Sequence, residues 1–207
     1  MKLFEFNPTR SIRARWTLQE LGVPFEAVPV NLLAGEHRQA EFLELNPAGR
    51  VPVLVDGDIV LTESIAIVVY LAEKYPDRNF IPRDGAQRAQ FFRWLLFAAT
   101  ELEQPLWRMA LHGALYPEPK RNPREIAIAA EDFVAVAQVA ERHMAGRDFV
   151  VGDHVTAADF VFAHTLDWAD EARVLTEFPC LNAYVERMYA RPQAPIRIKE
   201  ALAGLKQ

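Results

Sequence analysis

The sequence predicts an α+β half followed by an all-helical half. Three observations predict this. The first 76 residues alternate strand-length apolar runs with short helical patterns, in the order β-α-β-α-β-β-α. From residue 86 onward, apolar residues recur at helical spacing alone. Between the two lies DRNFIPRDG, whose proline, glycine and charges read as a linker. The expected boundaries are therefore 1–76, 77–85 and 86–207.

Each element has its own reason. Leu3 to Phe6 is a short apolar strand. Ser11 to Leu21 places Ala14, Leu18 and Leu21 on one helical face, and Gly22 stops it. Phe25 to Val30 is a second strand, and His37 to Leu45 a short helix closed by Asn46-Pro47. Val51 to Val55 and Ile59 to Leu61 flank Asp56-Gly57, a hairpin signature. Ser64 to Tyr75 is an apolar helix ended by Pro76. Such an order resembles a thioredoxin-like domain, with helices packed on a four-stranded sheet.

In the second half, Ala86 to His112 reads as one helical stretch, kinked at Pro105. Gly113 to Pro123 is a proline-bearing loop. Arg124 to Ala145 carries Ile126, Phe133, Ala137 and Ala140 at helical spacing, with Gly146 as its cap. Thr156 to Ala169 is an apolar helix, Pro179 to Ala190 another, and Arg191-Pro192 ends it. A last helix covers Ile196 to Leu205.

Composition narrows the function. A chain of 207 residues with 51% hydrophobic and 25% charged residues is that of an ordinary globular protein. Its net charge of -5 gives no electrostatic reason for nucleic acid or an anionic membrane as partner. MKLFEFNPTR has no apolar core of a secretory signal, and no uncharged stretch is long enough to span a bilayer. The single cysteine, Cys180, can form no internal disulfide, and no zinc-type spacing exists. A cytoplasmic protein without a bound metal is the expectation.

One stretch carries most of the chemistry: NPAGRVPVLVDGDIVLTESIAI, Asn46 to Ile67. Pro52, second in its strand, removes a ladder donor. If the Val51–Pro52 bond is cis, the turn exposes the backbone of Val51 to another extended peptide. Glu63 and Ser64 stand at a helix start, where free N–H groups and a partial positive charge attract a carboxylate. A hydroxyl for that carboxylate and a carboxylate for an ammonium suit an α-amino acid head group. The plainer alternatives are an edge-strand proline and an ordinary helix cap. Asn7-Pro8-Thr9-Arg10-Ser11 leads into the first helix, where hydroxyls can cap or can donate to an anion such as a thiolate.

Together these features resemble a cytosolic glutathione transferase, of a bacterial-type branch that uses neither tyrosine nor cysteine. The likeness runs through TRSIRARWTLQELGVPFEAVPVNL, EFLELNPAGRVPVLVDGDIVLTESIAIVVYLAEKYP and VVGDHVTAADFVFAHTL, and so covers nearly the whole chain. In the last of these, Thr156 and Asp159 fit a capping box.

The resemblance implies a glutathione site and an expected activity. Pro52 matches the family's cis-proline, and Val51 would bond the cysteinyl backbone. Glu63 and Ser64 would hold the γ-glutamyl head group. His37 and Arg50 would contact the glycine end. Glutathione enters as cosubstrate, with no other cofactor. Its thiolate would attack a small hydrophobic electrophile, the chemistry of detoxification. The activating group is left to Thr9, Ser11 or Asn7, with Arg10 adding charge. Tyr70 and Cys180 lie elsewhere in the sequence. Trp107, Leu111 and Tyr116 would line an electrophile pocket between the domains, with GALYPEPKRNP as a partial lid. A homodimer is implied as well. Peroxidase or disulfide-reductase chemistry on the same site, or a non-catalytic interaction role, are the alternatives.

Overall fold

A computed structural model of the chain describes residues 1–205. The last two residues of the expected 86–207 domain thus lie outside the described residues. The chain divides into two packing units.

The first unit comprises residues 1–81 and the segment from Arg191 onward. Its sheet holds β1 (Lys2–Glu5), β2 (Glu26–Pro29), β3 (Val53–Asp56) and β4 (Ile59–Thr62) in the order β2-β1-β3-β4. β1 and β2 are parallel, while β1–β3 and β3–β4 are antiparallel. The helices are α1 (Ser11–Leu21), α2 (Ala40–Leu45) and α3 (Ser64–Lys74). Alternation sorts the sheet's two faces. Leu3 pairs with Leu54 and both are fully buried. Phe4 pairs with Val53, and these meet Phe42 of α2 on the opposite face. α1 packs along α3 and against β1. Fully buried Trp16, Leu18, Ile67 and Leu71 on these two helices each contribute about 1.5–3 kcal/mol by burial.

Several expectations shift by a residue or more, for physical reasons. The strand expected at Val51 starts at Val53, so Pro52 precedes the strand and removes nothing from the ladder. The helix expected over 37–45 is a 3₁₀ turn, Glu36–Arg38, then α2, separated by an extended Gln39. Asp56 still pairs with Ile59, which leaves Gly57 and Asp58 as the hairpin turn. Gly57 takes the positive φ there, 61°.

The second unit spans Pro82–Ala190. The helical stretch expected over 86–112 is α4 (Gly85–Phe97), a π-helical turn (Ala98–Leu102), α5 (Glu103–Ala110) and a second π-helical turn (Leu111–Leu115). The Pro105 ring would crowd the carbonyl of Glu101 in a regular helix, and that residue lies in the widened turn. α6 (Pro123–Met144), α7 (Ala157–Glu171) and α8 (Pro179–Tyr189) follow. α6 ends at Met144 with Ala145 as its cap, and Gly146, expected as the cap, is the next residue, at φ 72°.

Twelve of the fifteen residues of α7 are buried, which makes it the central helix of this unit. Its start is the capping box: the Asp159 carboxylate accepts from the Thr156 N–H at 2.8 Å and hydroxyl at 2.9 Å. The same carboxylate accepts from the Val150 N–H at 2.8 Å and the Tyr184 hydroxyl at 2.9 Å. At the head of α8, Glu141 of α6 accepts from the Cys180 and Leu181 N–H groups.

After α8 the chain rejoins the first unit, ending in α9 (Ile198–Gly204). Arg191 donates to both carboxylate oxygens of Glu20 on α1, at 2.6 and 2.8 Å. The Trp16 indole N–H donates to the same carboxylate at 3.3 Å. This three-way tie fastens the segment after residue 190 to α1.

Candidate functional site

The sheet register gathers the expected binding residues of the first unit. Phe4 pairs with Val53, and Val53 with Thr62. One step further along, Phe6-Asn7, Val51-Pro52 and Glu63-Ser64 therefore stand at the same end of the sheet. The Val51–Pro52 peptide is cis, and so is Asn7–Pro8.

Glu63 precedes α3 with φ 65° and ψ 113°, a backbone state that an L residue seldom adopts. Such strain, on the order of 1–3 kcal/mol, concentrates at binding sites. No side chain caps the helix that follows. Its first amides have no intrahelical acceptor, since Ile67 N–H closes the first turn on Glu63 O at 3.0 Å. Ser64 is 5% exposed and accepts from Arg13 Nη1 at 3.4 Å. Arg13 itself is 1% exposed.

Thr9 and Ser11 form a closed hydroxyl pair. Thr9 Oγ1 lies 2.5 Å from Phe6 O and 2.8 Å from Ser11 Oγ, and it accepts from Ser11 N–H at 3.2 Å. Phe6 N–H donates to Ser11 Oγ at 3.4 Å. A hydroxyl carries one proton. With the Thr9 proton on Phe6 O, Ser11 supplies the proton between the two oxygens. Thr9 is half-buried, as are Asn7 and Arg10, and Ser11 is 1% exposed. Tyr70 is committed elsewhere, donating to Asp56 at 2.8 Å.

His37 and Arg50 are brought together through the loop that closes α2. Asn46 builds that loop: its side-chain amide donates to Arg50 O at 2.7 Å, and its Oδ1 accepts from Ala48 N–H at 3.1 Å. Gly49, at φ 59°, then lies against the carbonyl of His37. The Arg50 side chain is exposed, and His37 Nδ1 is buried with no hydrogen-bond partner.

The aromatic residues expected to face an electrophile belong to the second unit. Trp107 meets Trp168 edge-on at 6.4 Å, and Tyr116 meets His112 edge-on at 5.1 Å. Leu111 O accepts from Tyr116 N–H at 2.8 Å, closing the second π-helical turn. Arg121 secures the loop that follows, donating to Tyr116 O and Ala114 O, both at 2.8 Å.

Comparison with known proteins identifies the family. Residues 1–73 match the model of the glutathione S-transferase N-terminal domain, and residues 105–192 match that of the C-terminal domain. The chain belongs to the glutathione S-transferase family. Glutathione S-transferase F9 of Arabidopsis thaliana is 35% identical over 191 residues, 87% of each chain. The glutathione transferase URE2P5 of Phanerochaete chrysosporium superposes with a TM-score of 0.87 at 27% identity, covering 100% of this chain and 97% of that one. URE2P8 of the same fungus, solved with oxidized glutathione, gives 0.82 at 26% identity, covering 99% and 94%. The thioredoxin-like sheet domain and helical second part expected from the sequence are thus those of a glutathione S-transferase. No described helix is long and apolar enough to cross a membrane.

Within this glutathione S-transferase, Arg13, buried and bonded to Ser64, is a neighbour of the candidate site that the sequence alone did not single out. A signal was present. Arg13 falls at i, i+3, i+4 spacing with Trp16 and Thr17, an apolar-face position for a charged residue.

Proposed function

We propose that the chain conjugates the thiolate of glutathione to small hydrophobic electrophiles, through a hydroxyl-type site of the bacterial-type branch. One observation carries the reading. Ser64 is a nearly buried hydroxyl at an uncapped helix start, beside the strained Glu63. A carboxylate there would receive the Ser64 proton and the first amides of α3. Glu63, exposed, would take the adjacent ammonium. The backbone of Val51 would bond the cysteinyl unit, and His37 and Arg50 the glycine end.

These contacts carry the thiol toward the Asn7–Ser11 turn. Free glutathione resembles free cysteine, with a thiol pKa near about 8.5, so only a few per cent is thiolate at neutral pH. A donated hydrogen bond and the field of α1's N-terminus stabilise the anion. Thr9 is the preferred donor because it is partly exposed, whereas Ser11 lies behind it. Its proton would turn from Phe6 O to the sulfur. The sulfur lone pair then forms a C–S bond at the electrophilic carbon, and the leaving group departs with its electron pair. Trp107, Leu111 and Tyr116 supply apolar surface for the electrophile. A homodimer acting in detoxification in the cytoplasm completes the proposal.

A second reading, disulfide reduction on the same site, draws on the likeness to URE2P8, whose structure contains oxidized glutathione. The deciding experiment is retention on immobilised glutathione, followed by turnover of an aryl halide and of a mixed glutathione disulfide. Retention with aryl-halide turnover supports the first reading, and disulfide turnover alone the second. A protein that is not retained would leave only a non-catalytic interaction role.

A further inference from the structure

We propose that the sheet face beneath α2 carries a binding groove for a small aromatic compound bearing an ammonium group. The groove arises from a packing shortfall. α1 and α3, eleven residues each, pack on one face of the sheet. The other face has α2, which is six residues and so only about 9 Å long. Strand pairing sets Phe4, Val28 and Val53 side by side on that face, with Val30 two residues beyond Val28. Phe42 of α2 packs with Val30 and Val53 and meets Phe4 edge-on at 6.3 Å. Phe4 and Val28 stay half-buried. They line a groove of about 310 Å³ together with Phe42 and Leu45 of α2. Small-molecule pockets run from about 300 to 1,000 Å³, so this one takes a single ring system with a short arm. None of its lining residues is one expected to touch glutathione.

Charge selects the class of ligand. The ionisable side chains that line the groove are Glu36 and Glu41, both acidic. One oxygen of Glu36 accepts from the Asn31 N–H at 2.6 Å, which leaves the other for a ligand. Glu41 is exposed, and among the described residues no hydrogen bond or ion pair takes its carboxylate. Gln39 also lines the groove, and its side chain does not cap α2, so its amide oxygen is a further acceptor. Lys2, two residues before Phe4 on the same face, is already paired with Glu26 at 3.3 Å. Aromatic faces beside carboxylates are complementary to an ammonium on an apolar body. An anion would meet repulsion there, and a neutral ring would leave the carboxylates without a partner.

The test is equilibrium dialysis of naphthylethylammonium, a fluorescent amine, against the full chain, with naphthylethanol and naphthylacetate as its neutral and anionic counterparts. The expected result is saturable binding of the amine with a Kd below about 1 mM, and weaker binding of the other two. Glu41→Gln or Glu36→Gln should weaken the amine roughly two- to fivefold, and both together about tenfold. Glutamine at 36 keeps an oxygen for the Asn31 N–H. Val28→Lys, on the edge strand β2, puts a cation into the groove and should abolish binding. Amine binding that all these variants leave unchanged lies elsewhere on the molecule and overturns the proposal. A Kd above about 1 mM overturns it too, as does equal binding of the alcohol or the naphthylacetate. Displacement of the amine by added glutathione assigns it to the glutathione site and overturns it as well. If Val28→Lys does not fold, the two glutamine variants decide alone.

Discussion

Gly49 packs directly against the backbone carbonyl of His37. A Cβ on Gly49 would stand 2.9 Å from that oxygen, closer than carbon and oxygen normally approach. The same residue has φ 59°, which favours glycine. Two independent constraints therefore coincide at one position, between the 3₁₀ turn and the loop that holds Arg50. Gly49→Ala is expected to cost about 1–3 kcal/mol, read as a lowered urea midpoint at unchanged slope.

Asp159 gathers four donors in the core of the helical unit: Thr156 N–H and hydroxyl, Val150 N–H and Tyr184 hydroxyl. Burial holds its carboxyl above the ordinary carboxylate range, and these donors offset only part of that rise. Asp159→Ala strands all four and should cost about 3–5 kcal/mol. Thr156→Ala removes one donor and should cost about 1 kcal/mol. Equilibrium unfolding of the two variants tests the ratio.

His143 makes the stability of the second unit fall in mild acid. Its ring stacks on Trp94 at 3.8 Å, and Nε2 donates to Val150 O at 2.8 Å. Burial lowers its pKa below the ordinary 6.5, the Val150 bond opposes this, and Arg147 and Arg93 lower it further. Below pH 6.5 the unfolded chain therefore binds the proton more readily than the folded one, and stability drops until the folded ring also titrates. Above 6.5 the contribution is fully present. His143→Phe keeps a ring in the stack and should flatten unfolding free energy against pH in that window.

Thr9 and Ser11 can be separated by substitution. Thr9→Val keeps the shape and removes the proton, so the bound thiol should titrate closer to its free value of about 8.5, with only the field of α1 left to lower it, and turnover should fall roughly 10²-fold. Thr9→Ser should retain most activity. The ultraviolet absorbance of the thiolate against pH measures the first effect. Normal titration in Thr9→Val would transfer the role to Ser11 or Asn7.

Much of the fold was legible from local pattern. α1 begins and ends at the residues expected, because apolar spacing and Gly22 mark both ends. The capping box was legible from Thr156 and Asp159 alone, since its partners are three residues apart. The strand at Pro52 was misplaced by two residues, because a proline marks the edge of a ladder without saying which side of it the pairing begins. The π-helical turns were hidden: one proline announces a break, and packing chooses its form.

By itself the sequence determined the order of elements, and it marked the candidate binding stretch from Asn46 to Ile67 and the hydroxyls available near α1. These depend on neighbours along the chain. Tertiary structure alone decided that Arg13 meets Ser64, that Gly49 meets His37, and that Arg191 returns to Glu20. Those partners lie 51, 12 and 171 residues apart. Local spacing can report that a charge or a glycine is unusual where it stands. Only the folded chain supplies the donor, acceptor or carbonyl that gives it a reason.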